Sequence, residues 1–184
     1  MASDFRLNQA ARHLRQGGIL AYPTEGVYGL GCDPLNPAAV QRLLKLKGRS
    51  AAKGFILIAA DFEQVRDYLR IPEPEIRNRL LANWPGSVTF VVPAAAWVPA
   101  WLRGESANLA VRVTAHPLAS ALCRALGRPL ISTSANKSGQ RPARSALAVR
   151  KHFSPDEALL VPGRLGGASG PTPIYDAVSG ARLR

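Results

Sequence analysis

The segment FILIAA, residues 55–60, is apolar at every position. An unbroken apolar run of this length is typical of a strand covered on both faces, whereas a half-exposed strand alternates apolar and polar residues. Stretches with helical periodicity separate this run from other short apolar runs. The chain is therefore predicted to fold as an α/β protein with a largely covered, partly parallel sheet. The other predicted strands lie at residues 19–22, 88–92, 109–113, 129–131, 158–162 and 173–178.

The helices between these strands are predicted from their apolar faces and their caps. A first helix has apolar residues at the i, i+3, i+4, i+7 spacing over residues 7–14, with Ser3 as its N-cap. Asn36 is predicted to cap a second helix, and Pro117 opens another. No linker or break in composition divides the chain, so we expect a single domain over residues 1–184.

The charge balance points to polyanionic partners. The chain carries 24 Lys and Arg residues against 12 Asp and Glu residues, which gives a formal net charge of +12. A surplus of this size is typical of proteins that bind nucleotide phosphates or RNA, although a generally basic surface without a specific partner would show it too. The charge alone does not distinguish these alternatives.

Cysteine usage and hydropathy indicate where the protein works. Cys32 and Cys123 are far apart and form no CxxC spacing, so neither a disulfide framework nor a zinc site is predicted. The sequence contains no run of about 18 apolar residues, and polar residues interrupt the N-terminal segment. We therefore expect a cytoplasmic protein with no signal peptide and no membrane span.

Two polar stretches directly follow apolar runs. They read YPTEGVYGLG at residues 22–31 and STSANKSG at residues 132–139. Loops at the carboxyl ends of strands form ligand sites in α/β sheets, and short hydroxyl and amide side chains let phosphate oxygens approach the backbone. Turns and helix caps favour the same residue types, and Glu25 could equally be a solvated acid. The two stretches suggest a ligand site without establishing one.

Cationic side chains strengthen the case for an anionic ligand. Lys47, Arg49 and Lys53 cluster between a helix end and the FILIAA strand, where the helix dipole alone would also favour them. Arg112 interrupts the apolar run LAVRV, and a guanidinium inside a strand usually needs a carboxylate or phosphate partner. A ligand that carries one of these groups would satisfy it.

Several common catalytic and nucleotide-binding motifs are missing from the sequence. It contains neither a GxxxxGK[ST] phosphate loop nor the GxGxxG order, and its serines lack a GxSxG elbow. The histidines show no HExxH or other ligand spacing. A metal ion held by protein side chains is not predicted, whereas Mg²⁺ carried by ATP phosphates would need few protein ligands.

Six stretches form an ordered set: YPTEGVYGLG, KGRS followed by KGF, WPGSVTF, LAVRVTAHP, STSANKSG and GPTPIYD. In this order they resemble the YrdC-like family of threonylcarbamoyl-adenylate synthases, over nearly the whole chain. The resemblance implies a YrdC-like fold with a twisted, mixed, partly parallel sheet flanked by helices. It also implies a reaction in which L-threonine, bicarbonate and ATP give L-threonylcarbamoyl-AMP and pyrophosphate, on the route to N6-threonylcarbamoyladenosine at position 37 of tRNA.

The resemblance also implies roles for individual residues. Lys47 and Arg49 match the family's KxR motif and would bind ATP phosphates and steady the developing charge, so they are the expected catalytic residues. The other expected ATP-binding residues are Lys53, Asn108, Ser134, Asn136 and Arg184. The expected threonine-binding residues are Thr24, Arg112, Ser132 and Thr172.

The expected partners follow from the implied reaction. They are L-threonine, bicarbonate, ATP with Mg²⁺ on its phosphates, and the enzymes that complete the tRNA modification. The main alternative is a double-stranded RNA- or rRNA-binding ribosome-maturation factor, which the net charge would also fit. A substrate pocket requires Lys47, Arg49 and Arg112 to converge on one small cavity, whereas RNA binding needs cations along a surface and weakens steeply with salt. Transfer to another amino acid or a sugar phosphate is a third alternative.

Overall fold

Helices and strands alternate along the chain in the computed structural model, which describes residues 4–71 and 73–184. The predicted cap Ser3 lies outside the described residues. The helices are α1 (Asp4–Arg15), α2 (Pro37–Lys47), α3 (Glu63–Arg66), α4 (Pro74–Asn83), α5 (Ala100–Arg103), α6 (Pro117–Leu126) and α7 (Ala146–His152). The strands are β1 (Leu20–Pro23), β2 (Tyr28–Gly31), β3 (Ile56–Ala59), β4 (Thr89–Pro93), β5 (Asn108–Val113), β6 (Leu130–Ser134), β7 (Leu159–Leu160) and β8 (Ile174–Asp176).

These strands form one eight-stranded mixed sheet in the order β7-β1-β2-β6-β3-β5-β4-β8. The pairs β1–β7, β3–β5 and β4–β8 are parallel. The pairs β1–β2, β2–β6, β3–β6 and β4–β5 are antiparallel. Parallel neighbours need long crossover connections, which explains why strands close in sequence are often apart in the sheet. The predicted α/β fold with a mixed, partly parallel sheet is confirmed.

One face of the sheet packs against α2 and α4. Its strand residues are apolar, as in Leu57 and Val111, which are partners across the parallel pair β3–β5. Leu43 of α2 and Leu80 of α4 belong to the same core and are fully buried. Burial of large apolar side chains of this kind contributes roughly 1.5 to 3 kcal/mol for each. This face therefore forms the larger part of the hydrophobic core.

The opposite face is covered by α1 and α6 over only part of its extent. Ile58 and Leu130 lie under these helices with Leu14 of α1 and Leu122 of α6. Further along β6 the side chains on this face become small and polar, because Ser132 follows Leu130 by two positions and so shares its face. The uncovered part of this face is the floor of the candidate site.

Local signals explain the ends of the predicted helices. Asn36 caps α2 as predicted, since its Oδ1 accepts a hydrogen bond from Ala39 N at 3.0 Å. Pro37 occupies the first turn of α2, and Pro117 does the same in α6. Gly127 follows α6 with φ of 81°, a left-handed conformation that glycine adopts without a steric cost.

Strand β6 extends beyond the apolar run that predicted it. The run at residues 129–131 stops where STSANKSG begins, but β6 continues through Ser134. Gly29 and Leu30 of β2 pair with Ser134 and Thr133, and this pairing carries the strand onward. Strand β2 was not predicted either, because two glycines in four residues are unusual for a strand. Both polar stretches therefore contain strand residues as well as loops.

Both cysteines are buried and free. Burial raises the pKa of the Cys32 and Cys123 thiols to about 12, so they stay protonated and pack as small apolar side chains. Among the described residues, no helix is both long and apolar enough to cross a membrane.

Candidate active site

A cleft of about 410 Å³ opens on the uncovered part of the sheet face. Its floor consists of residues at matching positions of neighbouring strands, such as Ile56, which pairs with both Ala110 and Ser132. The turn between β1 and β2 and the segment leading into β3 form its walls. Of the predicted site residues, those that line the cleft are Thr24, Arg49, Lys53, Arg112, Ser132, Ser134, Thr172 and Arg184.

The hydroxyl groups on the floor come from alternate positions of β6. Ser132 and Ser134 share one face of the strand, whereas Thr133 pairs with Leu30 on the other. Tyr22 is fully buried beside Ser132, and burial raises the pKa of its phenol. The phenol is thus neutral, and it donates to the carbonyl oxygen of Ile131 at 3.3 Å. The floor offers uncharged hydroxyls on a rigid strand.

Arg112 is the buried cation of the site. Its Nη1 donates to Thr172 Oγ1 at 2.6 Å and to Thr89 Oγ1 at 3.3 Å. Its Nη2 lies 3.1 Å from Oε2 of Glu25 in a buried ion pair that lacks hydrogen-bond alignment. The partner predicted for this strand arginine therefore includes a carboxylate of the chain itself, and Glu25 is not a solvated acid.

The turn between β1 and β2 is stabilised by a hydrogen bond within the turn and by hydrogen bonds from a second segment of the chain. Thr24 Oγ1 donates to the carbonyl oxygen of Val27 at 2.7 Å, which closes the turn. The segment 163–172, here called the strap, lies over the turn. Gly166 N donates to the Thr24 carbonyl oxygen at 3.0 Å, and Ala168 N donates to that of Glu25 at 2.9 Å. The strap thus follows the turn and forms one rim of the cleft.

Lys47 lies behind the cleft. Its Nζ donates to the carbonyl oxygens of Ser134 and Asn136, at 2.8 Å in the second case. The Lys47 carbonyl oxygen in turn accepts a hydrogen bond from Ser138 N at 2.9 Å. Burial, with the neighbouring Arg49 guanidinium, lowers the pKa of the Lys47 ammonium to about 8. Lys47 thus fixes the loop after β6 through hydrogen bonds, and it places a positive charge next to that loop.

Three further cations line the cleft itself. Arg49 stacks over the Phe55 ring, with its guanidinium carbon 5.5 Å from the ring centroid, and donates to the carbonyl oxygen of Gly54 at 2.9 Å. Burial lowers the pKa of this guanidinium, which nevertheless stays charged at neutral pH. Arg184 donates to the Thr172 carbonyl oxygen at 3.1 Å, and Lys53 is exposed at the rim.

Asn108 and Asn136 do not line the cleft. Asn108 begins β5 on the same face as Ala110 and Arg112, so it extends the floor outward along the strand. Asn136 turns inward, and its Nδ2 donates to the carbonyl oxygens of Lys137 and Gln140 at 2.9 and 2.8 Å. Asn136 therefore organises the loop after β6, next to the carbonyl oxygen that Lys47 binds.

The arrangement suits an anionic ligand. Cationic side chains from three separate segments converge on one cleft, and the neutral hydroxyls of Ser132 and Ser134 lie on its floor. Within residues 4–71 and 73–184, no three His, Cys, Asp or Glu side chains cluster closely enough to hold a metal ion. The fold and the cleft together define an α/β protein with a cation-lined cleft on an open sheet face, an arrangement suited to an anionic ligand.

Comparisons with known proteins identify the family. The family model for Sua5, YciO and YrdC proteins, described as "Telomere recombination", matches residues 12–183. The chain belongs to this family. It is 54% identical over 181 residues to a threonylcarbamoyl-AMP synthase of Nitrosococcus oceani, covering 98% of both chains. It is 56% identical over 180 residues to one from Halorhodospira halophila, covering 98% of this chain and 94% of the other. The names of these relatives agree with the reaction that the resemblance implied.

Solved structures agree on the fold. P. abyssi Sua5 complexed with L-threonine superposes with a TM-score of 0.89 at 32% identity, over 96% of this chain and 52% of that one. This chain thus spans about half the length of that Sua5. E. coli YciO superposes with a TM-score of 0.79 at 26% identity, over 96% of this chain and 85% of that one.

Sequence reasoning missed the polar residues around Arg112. Glu25 was left undecided, Thr89 was interpreted only as a strand residue, and Thr114 appeared only within the motif LAVRVTAHP. Thr114 donates to Glu25 Oε1 at 2.5 Å, and all three residues are buried. A signal was present, because the fully buried threonines flank the strand arginine at the ends of β4 and β5, where apolar residues would otherwise be expected.

Proposed function

We propose that this protein is an L-threonylcarbamoyladenylate synthase, which makes L-threonylcarbamoyl-AMP and pyrophosphate from L-threonine, bicarbonate and ATP. One observation carries the proposal. Arg49, Arg112 and Arg184 converge on a single cleft in a chain that is 54% identical to a threonylcarbamoyl-AMP synthase over 98% of both lengths. A substrate pocket was expected to require the convergence of Lys47, Arg49 and Arg112. Arg49 and Arg112 do converge, whereas Lys47 lies behind the cleft and lines a separate groove. A surface for RNA does not require such convergence.

The reaction needs positioning and positive charge more than a nucleophilic side chain. Threonine and bicarbonate give the carbamate with loss of water. An oxygen of the carbamate then attacks the α-phosphorus of ATP in line with the leaving pyrophosphate, so one P–O bond forms as another breaks. Charge moves onto the leaving group during this step, and fixed cations stabilise it there.

The predicted residues divide between the two substrates. Arg112, with Thr24, Ser132 and Thr172 around it, would receive the threonine carboxylate as a bidentate partner. Arg49, Lys53 and Arg184 would neutralise the phosphates, and Lys47 would add charge from behind the loop after β6. The remaining predicted nucleotide contacts are Ser134, Asn136 and Asn108. Mg²⁺ would arrive on the ATP phosphates, whose oxygens supply most of its ligands.

The setting of the reaction follows from its product. A carbamoyl adenylate is useful to an enzyme that transfers its threonylcarbamoyl group, so the partners would be the enzymes that complete the tRNA modification. Residues 1–184 would work as one domain, because strands from a single eight-stranded sheet form the floor of the cleft. The cytoplasm remains the predicted compartment.

Pyrophosphate release tests the proposal. The purified protein, with ATP and Mg²⁺, should release pyrophosphate only when threonine and bicarbonate are both present. Arg49→Ala and Lys47→Ala should reduce release by about a hundredfold, the effect of removing one preorganised charge from a transition state. Arg66→Ala is the matched control, since Arg66 is an exposed arginine outside the cleft lining. Release that ignores the omission of threonine would contradict the proposal.

RNA binding is the second candidate function, and a separate basic groove favours it. This groove of about 990 Å³ lies between the ends of α1 and α2 and is lined by Arg42, Lys45, Lys47 and Lys137, with Asp156 and Glu157 at one side. Its cations are arranged along a surface. If it binds RNA, Lys45→Ala with Lys137→Ala should weaken binding of a double-stranded RNA and reduce its salt dependence, with pyrophosphate release unchanged.

A further inference from the structure

Arg112 is held by three different segments of the chain. Thr89 on β4 and Thr172 on the strap both accept hydrogen bonds from its Nη1, at 3.3 and 2.6 Å. Glu25 on the β1–β2 turn approaches its Nη2 to 3.1 Å. Arg112 Nε is buried and has no hydrogen-bond partner among the described residues. The guanidinium is thus fixed on two sides, while its Nε–H and Nη2–H groups donate no hydrogen bond within the described part of the chain and are left for the two oxygens of a carboxylate.

Glu25 stands behind this guanidinium rather than in the cleft. The lining of the cleft includes Thr24 and Gly26 but not Glu25, whose side chain is 7% exposed. Its Oε1 accepts a hydrogen bond from Thr114 Oγ1 at 2.5 Å, which orients the carboxylate toward Arg112. A ligand in the cleft would therefore meet Arg112 without touching Glu25.

The same residue also connects the strap to the arginine. The Glu25 backbone carbonyl oxygen accepts a hydrogen bond from Ala168 N at 2.9 Å, while its side chain pairs with Arg112. Thr172, at the other end of the strap, binds the opposite side of the guanidinium. Glu25 and Thr172 thus enclose Arg112 between the turn and the strap.

A buried ion pair is a poor device for stability alone. Taking both charges out of water costs several kcal/mol, and a well-packed apolar pair often serves the fold equally well. An arginine that must receive a carboxylate has a different requirement, because a bidentate contact depends on the plane of the guanidinium. A second charge behind the arginine fixes that plane before the ligand arrives.

We propose that Glu25 is a positioning residue for substrate recognition: its carboxylate, oriented by Thr114, holds the guanidinium of Arg112 ready to receive the carboxylate of the amino-acid substrate. The inference rests on the proposed function for the identity of that substrate. It assigns no contact between Glu25 and the substrate itself.

Two effects of Glu25 have opposite signs, which makes the inference testable. Glu25 offsets the positive charge of Arg112, so its removal would by itself strengthen the attraction for an anion. Glu25 also orients Arg112, so its removal would weaken the bidentate contact. In Glu25→Gln the amide oxygen can still accept the hydrogen bond from Thr114. The amide N–H₂ group then faces the guanidinium N–H groups, and this contact between two donors displaces the Arg112 side chain. We expect the loss of orientation to dominate.

The experiment compares steady-state kinetics of the full chain with each substrate varied in turn. Glu25→Gln should raise the KM for threonine by about tenfold or more, and change the KM for ATP and kcat by less than about threefold. Thr114→Val, which removes only the orienting hydroxyl, should raise the KM for threonine by a smaller factor. The double variant should show less than the product of the two factors, because both changes act on one contact.

Matched variants separate positioning from general damage. Glu63→Gln breaks the exposed Glu63–Arg66 pair of 2.6 Å and should leave both KM values unchanged. Glu25→Asp keeps the charge on a shorter side chain and should recover part of the threonine affinity. A thermal melt of each variant reports on folding. If Glu25→Gln does not fold, the KM for threonine of Thr114→Val tests the inference instead.

Two results would overturn the inference. An unchanged or lowered KM for threonine in Glu25→Gln would show that the carboxylate only offsets charge. An equal rise in the KM values for threonine and ATP would show a general structural role. Failure of the proposed function looks different, because the unsubstituted protein would then show no threonine-dependent pyrophosphate release at all.

Discussion

Lys47 and Arg112 are both buried cations, but the fold uses them differently. Lys47 binds backbone carbonyl oxygens, so its ammonium shapes a loop. Arg112 pairs with a carboxylate and two hydroxyls and still faces the cleft. Lys47 was predicted as a site residue from its match to the family's KxR motif, and Arg112 because a guanidinium inside an apolar strand usually needs a carboxylate or phosphate partner. Which of them reaches a ligand directly depends on contacts between distant segments, which a single sequence does not show.

Replacement of Arg112 by lysine should remove the planar donor set while retaining the positive charge. A lysine ammonium cannot satisfy Glu25, Thr89 and Thr172 and also present two parallel N–H groups to a carboxylate. We expect Arg112→Lys to raise the KM for threonine by at least about tenfold, with a smaller effect on the KM for ATP. Calorimetric titration with threonine alone checks this. Equal affinity in the two proteins would contradict a bidentate role.

The activity should depend on pH through Lys47. Burial and Arg49 lower the pKa of the Lys47 ammonium to about 8. Above that pH the folded protein loses this proton, whereas the unfolded chain, in which lysine has its usual pKa of 10.5, keeps it up to a higher pH. Between these two pKa values the unfolded chain binds more protons than the folded protein, so the free energy of unfolding rises with pH. Below about pH 8 the buried ammonium destabilises the fold by its full amount. The charge near the phosphates is lost over the same range.

The KM for ATP should therefore rise as the pH passes through about 8. Lys47→Arg keeps its charge across this range, so in that variant the rise should disappear, even if the basal affinity is lower. The measurement is the KM for ATP at several pH values in both proteins. A rise of the same size in Lys47→Arg would assign the titration to another group.

At the scale of elements, the sequence predicted the starts of α2 and α6 better than the two strands that build the site. Asn36 accepts a hydrogen bond from Ala39 N, and Pro117 has the fixed φ of a first-turn residue, so both signals are local. Strand β2 pairs with β1 close by in sequence, but it also pairs with the end of β6 across about a hundred residues of chain, and this distant pairing extends β6 to Ser134. Their glycines and hydroxyls resemble a loop when read one segment at a time.

The N-cap of α2 is a direct test of the local signal. Asn36→Ala removes the acceptor for Ala39 N and should lower the free energy of unfolding by about 1 kcal/mol. Asn36→Asp retains an acceptor and should lower the free energy of unfolding by only a few tenths of that amount. Urea unfolding followed by circular dichroism measures both variants. Equal losses would show that the side-chain acceptor is not what stabilises this end of α2.

The contact between the turn and the strap is tight enough to test with one methyl group. A Cβ on residue 26 would overlap the carbonyl oxygen of Gly170, which is backbone and can move only with the strap. Gly26→Ala should therefore destabilise the protein by roughly 1 to 3 kcal/mol, as overpacking does. Gly170→Ala is the control for stability, because a Cβ there meets no atom within 4 Å. Similar thermal midpoints for the two variants would contradict this packing.

For the whole molecule, covering only part of one sheet face is what creates the cleft. Helices α1 and α6 bury Ile58 and Leu130, and the same strands continue uncovered as Ile56 and Ser132. The change from apolar to small and polar residues along β6 was visible in the sequence as LISTS, but only the sheet order shows that Ile56 and Ala110 lie beside Ser132 on the floor of the cleft. The fold class was accessible from periodicity, and the position of the site required the topology.

The central claim is the reaction, and its product tests it most directly. The purified protein would be incubated with ATP, Mg²⁺, L-threonine and carbon-13 bicarbonate, and the nucleotides analysed at once by mass spectrometry. The proposed reaction predicts an adenylate that contains threonine and one carbon-13 atom, formed together with pyrophosphate and greatly reduced in Arg49→Ala. Pyrophosphate released with an adenylate that lacks the labelled carbon, or no adenylate from a folded sample, would contradict it.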